Sequence, residues 1–218
     1  MEQIFNSQSK ALVWVSVISI AAFFVRNMVI GDTNYNFLLW NLFLGLVPLL
    51  FAICIKYFAA KLSALLFWFG CGMWLLFYPN APYMISDFIH VNQQESYVLY
   101  DALMIFNIAM LSVFYGLYSL SIIHTVITAR YNSRLANLVI IASIVLAAFG
   151  VYLGRVLRLN SWDLFTKPGA TIEMIFGHLF PFSANPQTWA LVIIFSFLQL
   201  FLIVLIYGLN TNSSGLRS

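Results

Sequence analysis

Six long apolar runs constrain this chain more than any other feature of its sequence. They cover residues 11–30, 36–55, 62–78, 102–123, 135–154 and 188–207, and Arg26 is the one charged residue inside them. A helix needs about 20 apolar residues to cross a hydrocarbon core of about 30 Å, whereas membrane-barrel strands alternate in polarity over about ten residues. The runs are continuous, so they predict an all-α, polytopic membrane helix bundle of six spans.

The composition excludes two other classes of protein. Apolar residues make up 62% of the chain and charged residues 8%, against about 25% charged residues in an ordinary soluble domain. A soluble globular enzyme and a disordered chain are both ruled out. The net charge of +3 is too weak to suggest a nucleic-acid partner. We therefore expect a single transmembrane domain over residues 1–218, with its first run retained as a span because no signal-peptide cleavage site follows it.

The distribution of basic residues predicts an orientation. With six spans, both termini lie on one side of the membrane. That side would carry Lys10, Lys56, Lys61, Arg130, Arg134 and Arg217, and the other side Arg26, Arg155, Arg158 and Lys167. Because cytoplasmic loops are enriched in Lys and Arg, this six-to-four balance predicts cytoplasmic termini. Residues 171–182 are too few for a seventh span, and they predict a short interfacial or re-entrant helix at the extracytoplasmic face.

The strongest local motif is YPNAPYMISDFIH, residues 78–90. Two prolines end the third span, and Asn80 is expected to cap a new short helix. On an α-helix Tyr83, Asp87 and His90 would share one face, opposite an apolar face formed by Met84, Ile85, Phe88 and Ile89. The helix either lies on the bilayer surface with its polar side in water or turns these three side chains inward to line a pocket.

A second motif, GRVLRLNSWD, covers residues 154–163. Arg155 and Arg158 are expected on one helix face at the outer end of the fifth span. They either anchor the helix at the membrane surface or form a fork for an anionic group such as phosphate or carboxylate. Asn160 and Asp163 follow as further candidate binding residues, and Trp162 is either an interfacial aromatic or part of the binding surface.

Other polar residues are expected to pair within the membrane. Arg26 falls within the outer leaflet and Asp101 opens the fourth span, where a charge is costly unless it is paired or faces water. The economical arrangement sets three arginines, Arg26, Arg155 and Arg158, against the carboxylates of Asp87, Asp101 and Asp163. This network is either structural or part of a functional site. Mid-span Asn41, Asn107 and Gln199 are expected to join helices by hydrogen bonds, and Cys54 and Cys71 to be small core residues.

The chemistry that these residues offer is incomplete. Asp87, His90 and Asp101 are the candidate catalytic residues, and the same three side chains are possible ligands for a divalent metal, but no HExxH or cysteine pattern accompanies them. A His90–Asp87 base pair would need a nucleophile, for which Ser86, Ser161 or water are candidates by position. The sequence identifies no cofactor. Transport ranks low, because no internal repeat with matching broken spans is evident.

Three stretches carry a resemblance to a known family. They are LLWNLFLGLVPLLFA at residues 38–52, WLLFYPNAPYMISDFIH at residues 74–90 and GRVLRLNSWDLF at residues 154–165. Together they resemble the bacterial membrane-protein family catalogued as domain of unknown function 1361, from the second span to the last. The resemblance implies a compact multi-span protein of the bacterial inner membrane. It implies no activity, and it favours one site formed by the second and third stretches.

Three functions remain open. The first is a binding module whose outward-facing polar pocket holds a lipid headgroup or a small anionic ligand through Arg155 and Arg158, with Arg26, Asn80 and Tyr83 alongside. The second is an intramembrane hydrolase or an acyl or headgroup transferase that uses His90 and Asp87. The third is an accessory subunit that binds another membrane protein.

Overall fold

The computed structural model describes residues 2–31, 33–91, 97–180 and 186–215, with side chains between residues 10 and 206 of those ranges. Within them the chain forms nine α-helices and one 3₁₀ helix, which confirms the all-α prediction. The long helices are α1 (Glu2–Ile30), α2 (Phe37–Phe58), α3 (Ala64–Phe77), α5 (Val98–Arg130), α6 (Ser133–Arg155), α8 (Pro168–Leu179) and α9 (Pro186–Gly215). The short ones are α4 (Asn80–Tyr83), the 3₁₀ helix (Met84–His90) and α7 (Asp163–Thr166).

Six stretches of the described chain are long and apolar enough to cross a membrane, as predicted. They are Lys10–Ile30, Phe37–Phe58, Ala64–His90, Val98–Arg130, Ser133–Arg155 and Pro186–Ile206. The helix α8 has 12 residues, which is too short to span a bilayer. This agrees with the short helix expected at residues 171–182, although the last two residues of that segment and Arg217 lie outside the described residues.

The helix α5 is the centre of the bundle. In its most apolar stretch 67% of the residues are buried, against 17% in α1, and it packs against α1, α2, α4, α6 and the 3₁₀ helix. Arg130, at its end, donates to the carbonyl oxygens of Ala59 at 2.6 Å and Leu62 at 2.8 Å, which fixes the connection between α2 and α3. The chain then reverses at Asn132, whose side chain caps α6 by accepting from Leu135 N at 2.8 Å.

The third span is broken, and the break is buried inside the bundle. After α3 ends, α4 packs among α2, α5 and α6, with Ala81 and Pro82 buried. Two glycines allow this close approach: a Cβ on Gly116 would lie 2.7 Å from Ala81 Cβ, and one on Gly150 would lie 2.5 Å from Pro79 Cγ. The tight packing holds the 3₁₀ helix that follows against α5.

Two local predictions for this segment are wrong. Pro79 occupies the N-cap position of α4, and Asn80 instead turns its Nδ2 back to Phe77 O at 2.9 Å. The predicted polar and apolar faces of an α-helix do not form either. Residues 84–90 form a 3₁₀ helix, which has three residues per turn. Met84 and Asp87 are consequently buried together, while Ile89 on the expected apolar face is 68% exposed. The first part of the segment, including Ala81, Met84 and Asp87, is packed within the bundle, whereas its last three residues, 88–90, are exposed on the surface.

Some of the predictions for single polar residues and cysteines agree with the structure and others do not. Asn41 and Gln199 do join helices: Asn41 Nδ2 donates to Asp87 Oδ2 at 3.0 Å, and Gln199 Oε1 accepts from Tyr78 at 2.8 Å. Asn107 is exposed on the surface of α5, and it makes no hydrogen bond to the described residues. Cys71 is buried as expected, whereas Cys54 is exposed, so the prediction that both are core residues is wrong for Cys54; neither forms a disulfide.

Candidate functional site

A cleft of about 600 Å³ lies between α3 and α6. The helix α3 packs on α2 and the helix α6 on α5 and α9, but α3 and α6 do not pack closely against each other. Apolar side chains form both walls, among them Phe69 and Met73 of α3 and Leu146 and Phe149 of α6. Since Phe69 and Leu146 are also exposed on the outer surface of the bundle, the cleft opens toward the region that lipid chains would occupy.

One end of the cleft is polar. The described residues there are Asn41, Asn80, Tyr83, Asn160, Ser161 and Thr171, which we call the polar end. Hydrogen bonds order it: Asn80 Nδ2 donates to Ser161 Oγ at 3.2 Å, and Ser161 Oγ donates to Leu76 O at 3.1 Å. These bonds tie the loop after α6 to the end of α3, so the loop closes this end of the cleft.

The charged residues lie behind the polar end, around Arg155. Its Nε donates to Ser86 Oγ at 2.7 Å, its Nη1 lies 3.3 Å from His90 Nε2, and its Nη2 pairs with Asp87 Oδ1. The guanidinium also lies 4.3 Å from the centre of the Tyr83 ring. The structure therefore brings Tyr83, Asp87, His90 and Arg155 together, as the two motifs led us to expect, with Asp87 buried and His90 exposed.

A second ion pair lies apart from Arg155. Arg26 of α1 donates through Nε to Asp101 Oδ1 at 2.9 Å and through Nη2 to Asp101 Oδ2 at 3.2 Å, and both side chains are almost completely buried. The Arg26 guanidinium lies 4.7 Å from the ring of Tyr35, whose hydroxyl donates to His90 O at 3.3 Å. The carboxylate of Asp101 is thus held by Arg26, and Asp101 does not join Asp87 and His90.

The residues after Arg155 do not form the fork that the spacing suggested. The helix α6 ends at Arg155, and Leu159 N donates to Leu153 O at 3.1 Å to close its end. Arg158 adopts a left-handed backbone with φ 57° and leaves the face of Arg155, so the prediction of a shared face is wrong. The carboxylate of Asp163 accepts from Asn160 N at 2.6 Å rather than from an arginine. Trp162 is partly exposed and lies outside the cleft lining.

The arrangement limits the chemistry available to Asp87 and His90. Asp87 is shared between Arg155 and Asn41, and His90 contacts Arg155, so a cation between them would have to displace the guanidinium. Across the described residues, no three His, Cys, Asp or Glu side chains are grouped to hold a metal ion. The two serine candidates both donate to backbone oxygens, Ser86 to Tyr83 O and Ser161 to Leu76 O.

The sequence reasoning missed the apolar walls of the cleft. Gly72, which leaves open space beside α3, and Gly150, which lets Pro79 approach α6, both lie in runs that look like ordinary lipid-facing or core helix. The two glycines were the sequence signal that could have indicated the cleft. Glycine lowers the stability of a helix, so its presence inside one suggests that close packing or open space is required there. Their partners come from distant parts of the chain, and the spacing within one run does not identify them.

Comparison with known proteins identifies one family. The family model described as "Protein of unknown function (DUF1361)" matches residues 40–202. No curated protein and no solved structure matches the chain significantly. The matched region contains both motifs and every residue of the cleft, because it extends from α2 into α9. The chain therefore belongs to the DUF1361 family.

Proposed function

We propose that this protein binds a membrane amphiphile in the cleft between α3 and α6. The apolar chain of the ligand would lie against Phe69, Met73 and Leu146, and its headgroup would meet the polar end at Asn80 and Ser161. The observation that carries the proposal is the combination of an apolar slot, open toward the lipid region, with a single polar end. Sites for small ligands are concave, mostly apolar and equipped with a few placed polar groups, and this cleft has all three properties.

The size of the cleft supports a ligand of the lipid class. Ligand pockets commonly enclose about 300–1,000 Å³, and about 600 Å³ is present here. Each buried methylene stabilises binding by about 0.8 kcal/mol relative to water. A lipid chain that enters the cleft gains less than this, because it comes from the apolar interior of the bilayer and not from water. Contacts at the polar end would therefore have to select the ligand from the other lipids.

The contacts of Arg155 weaken the alternative of an anionic ligand held by two arginines. All three guanidinium nitrogens of Arg155 contact protein groups, and Arg155 does not line the cleft. Arg158 is exposed and makes no hydrogen bond to the described residues. An anionic group at the polar end would therefore depend on Arg158, whose charge acts on Tyr83 from outside the lining. The same contacts give no specific support to a hydrolase or transferase built on His90 and Asp87.

The proposed location is the cytoplasmic membrane of a bacterium, with both termini in the cytoplasm. Lys56, Lys61, Arg130 and Arg134 lie at the α2–α3 and α5–α6 connections, at one end of the bundle, and this concentration of basic residues supports the orientation. The polar end of the cleft lies at the opposite ends of α3 and α6. It would then face the outer side of the membrane, where the headgroups of the outer leaflet lie.

Filling the cleft tests the proposal. A Cβ on Gly72 meets no atom within 4 Å, so Gly72→Leu places its side chain in the cleft without disturbing the helix. We expect the variant, purified at full length from membranes, to lose most of the lipid that the wild-type protein retains, as measured by mass spectrometry of the extract. Ala64→Leu, on the exposed start of α3 outside the cleft, is the matched control. Equal lipid retention by the two variants would refute the proposal.

A further inference from the structure

The polar end of the cleft carries no charge, and this restricts the headgroup. Among the described residues, no Lys, Arg, Asp or Glu lines the cleft. A phosphate or ammonium group placed there would find no uncommitted counter-charge in the lining, because Arg155, behind Tyr83, is already paired with Asp87, and Arg158 lies outside the lining. Burying a charge without a partner is unfavourable. The polar end is therefore suited to an uncharged headgroup.

The hydrogen bonds already made by the protein show what is left for a ligand. Asn80 uses both Nδ2 hydrogens, on Phe77 O and on Ser161 Oγ, so its Oδ1 remains free as an acceptor. Asn41 uses Nδ2 to reach the Asp87 carboxylate, which likewise leaves its Oδ1 free. In the described structure each of these two amide oxygens is therefore available to accept a hydrogen bond. Its direction is fixed, because the NH2 group of the same amide is held by the hydrogen bonds that it donates.

Two further groups complete the set. The hydroxyl of Tyr83 has no hydrogen-bond partner among the described residues, and it both donates and accepts. Asn160 binds Asp163 Oδ2 with its backbone N–H at 2.6 Å and only distantly with Nδ2 at 3.5 Å, so its side-chain amide is largely available. Amide oxygens that accept, beside a phenol hydroxyl that donates and accepts, match the hydroxyl groups of a polyol, each of which does both.

We propose that the amphiphile bound in this cleft has an uncharged, hydroxyl-rich headgroup of the sugar or polyol class. The inference rests on the proposed function, because it assigns the headgroup of the same ligand. Ligand hydroxyls would satisfy the free oxygens of Asn41, Asn80 and Asn160. These oxygens otherwise depend on water at the edge of an apolar slot, where unpaired polar groups are costly.

The test uses three lipids with identical acyl chains: a monohexosyl diacylglycerol, a phosphatidic acid and a phosphatidylcholine. Each is titrated into the full-length protein in a polyoxyethylene detergent, and bound lipid is counted by native mass spectrometry. We expect the hexosyl lipid to bind most tightly, since phosphatidylcholine has no hydrogen-bond donor and phosphatidic acid brings an uncompensated charge. Preferential binding of phosphatidic acid that Arg158→Gln abolishes would instead identify an anion site and overturn the inference.

One variant isolates the polar contact. Tyr83→Phe removes a hydroxyl that makes no hydrogen bond to the described protein and keeps the ring beside Arg155. We expect it to weaken binding of the hexosyl lipid about 2- to 10-fold, the range for one neutral hydrogen bond, and to leave phosphatidylcholine binding unchanged. Tyr57→Phe, exposed near the opposite end of the bundle, should change neither.

The outcomes separate the two proposals. If no lipid binds better to the wild-type protein than to Gly72→Leu, the proposed function itself fails. If lipids occupy the cleft but all three bind equally, or Tyr83→Phe weakens every lipid alike, the amphiphile proposal survives and the headgroup assignment is refuted.

Discussion

At the scale of single residues, Arg155 organises the charged part of the molecule. It contacts Ser86 and His90, pairs with Asp87 and lies over Tyr83. Three separate nitrogens and a flat face are needed for these four contacts, and a guanidinium provides them, whereas an ammonium group does not. Arg155 thereby fixes the 3₁₀ helix to the end of α6, and it sets the position of the Tyr83 ring at the polar end of the cleft.

Replacing Arg155 should therefore destabilise the fold. In Arg155→Leu the buried carboxylate of Asp87 keeps Asn41 as its one remaining hydrogen-bond partner among the described residues. Breaking a buried pair on one side typically costs about 3–5 kcal/mol. We expect a clearly lower thermal unfolding temperature in detergent, and only partial rescue by Arg155→Lys because lysine cannot make the same contacts. Arg158→Leu should leave the unfolding temperature near that of the wild type, and an equal drop in both variants would contradict this role.

The pair of Arg26 and Asp101 gives a second prediction. Either Arg26→Leu or Asp101→Leu strands one buried charge, whereas the double variant Arg26→Leu/Asp101→Leu removes both. We expect each single variant to lose about 3–5 kcal/mol of unfolding free energy and the double variant to lose much less than their sum. The measurement is a double-mutant cycle by denaturant unfolding in mixed micelles. Additive losses would show that the two side chains do not stabilise each other.

At the scale of elements, the buried position of α4 depends on the small size of its neighbours. Pro79 and Ala81 approach the backbone of α6 and α5 at Gly150 and Gly116, where no side chain intervenes. The broken third span therefore packs inside the bundle, and its position leaves α3 separated from α6. The width of the cleft follows from this packing.

Adding one methyl group at Gly150 tests that dependence. In Gly150→Ala the new Cβ would overlap Pro79, so α4 or α6 must shift. Overpacking of this kind typically costs about 1–3 kcal/mol, and we expect a lower unfolding temperature and altered lipid retention. Gly72→Ala is the matched control, because its Cβ meets open space and alanine favours a helix. Equal stability of the two variants would contradict the close approach.

The elements also show how far sequence reasoning reaches. Length and apolarity located all six spans, because the bilayer sets the required length independently of packing. The sequence did not distinguish a 3₁₀ helix from an α-helix at residues 84–90, since the choice follows from how α4 packs. It brought Tyr83, Asp87, His90 and Arg155 into one region through their motifs. The prediction that Arg158 shares a helix face with Arg155 was wrong, because α6 ends at Arg155. The cleft walls were missed, because their residues come from helices that are distant in sequence.

At the scale of the whole molecule, the two ends of the bundle differ in composition. The connections around Lys61 and Arg134 are basic, while the opposite end holds the polar end of the cleft together with Asp87 and Asp163. Arg130, at the same end, donates to the backbone oxygens of Ala59 and Leu62. This asymmetry is the physical basis of the proposed orientation.

Labelling tests the orientation directly. In a background with Cys54→Ala and Cys71→Ala, a cysteine at Thr166 should react with a membrane-impermeant thiol reagent in intact cells or right-side-out vesicles. A cysteine at Arg134 should react only in inside-out vesicles. Both residues are exposed, so access to the reagent depends on the side of the membrane. The reverse pattern would invert the proposed topology and move the polar end of the cleft to the cytoplasmic face.

The ion pair between α1 and α5 has a consequence for biosynthesis. Arg26 and Asp101 are 75 residues apart in sequence, and the chain is made from its N-terminus, so the translocon receives the arginine before its partner exists. An arginine near the middle of an inserting helix costs about 2.5–3.5 kcal/mol, and less near the end of the helix. Because Arg26 lies near the end of α1, we expect its guanidinium to stay at the membrane surface until the fourth span delivers the carboxylate.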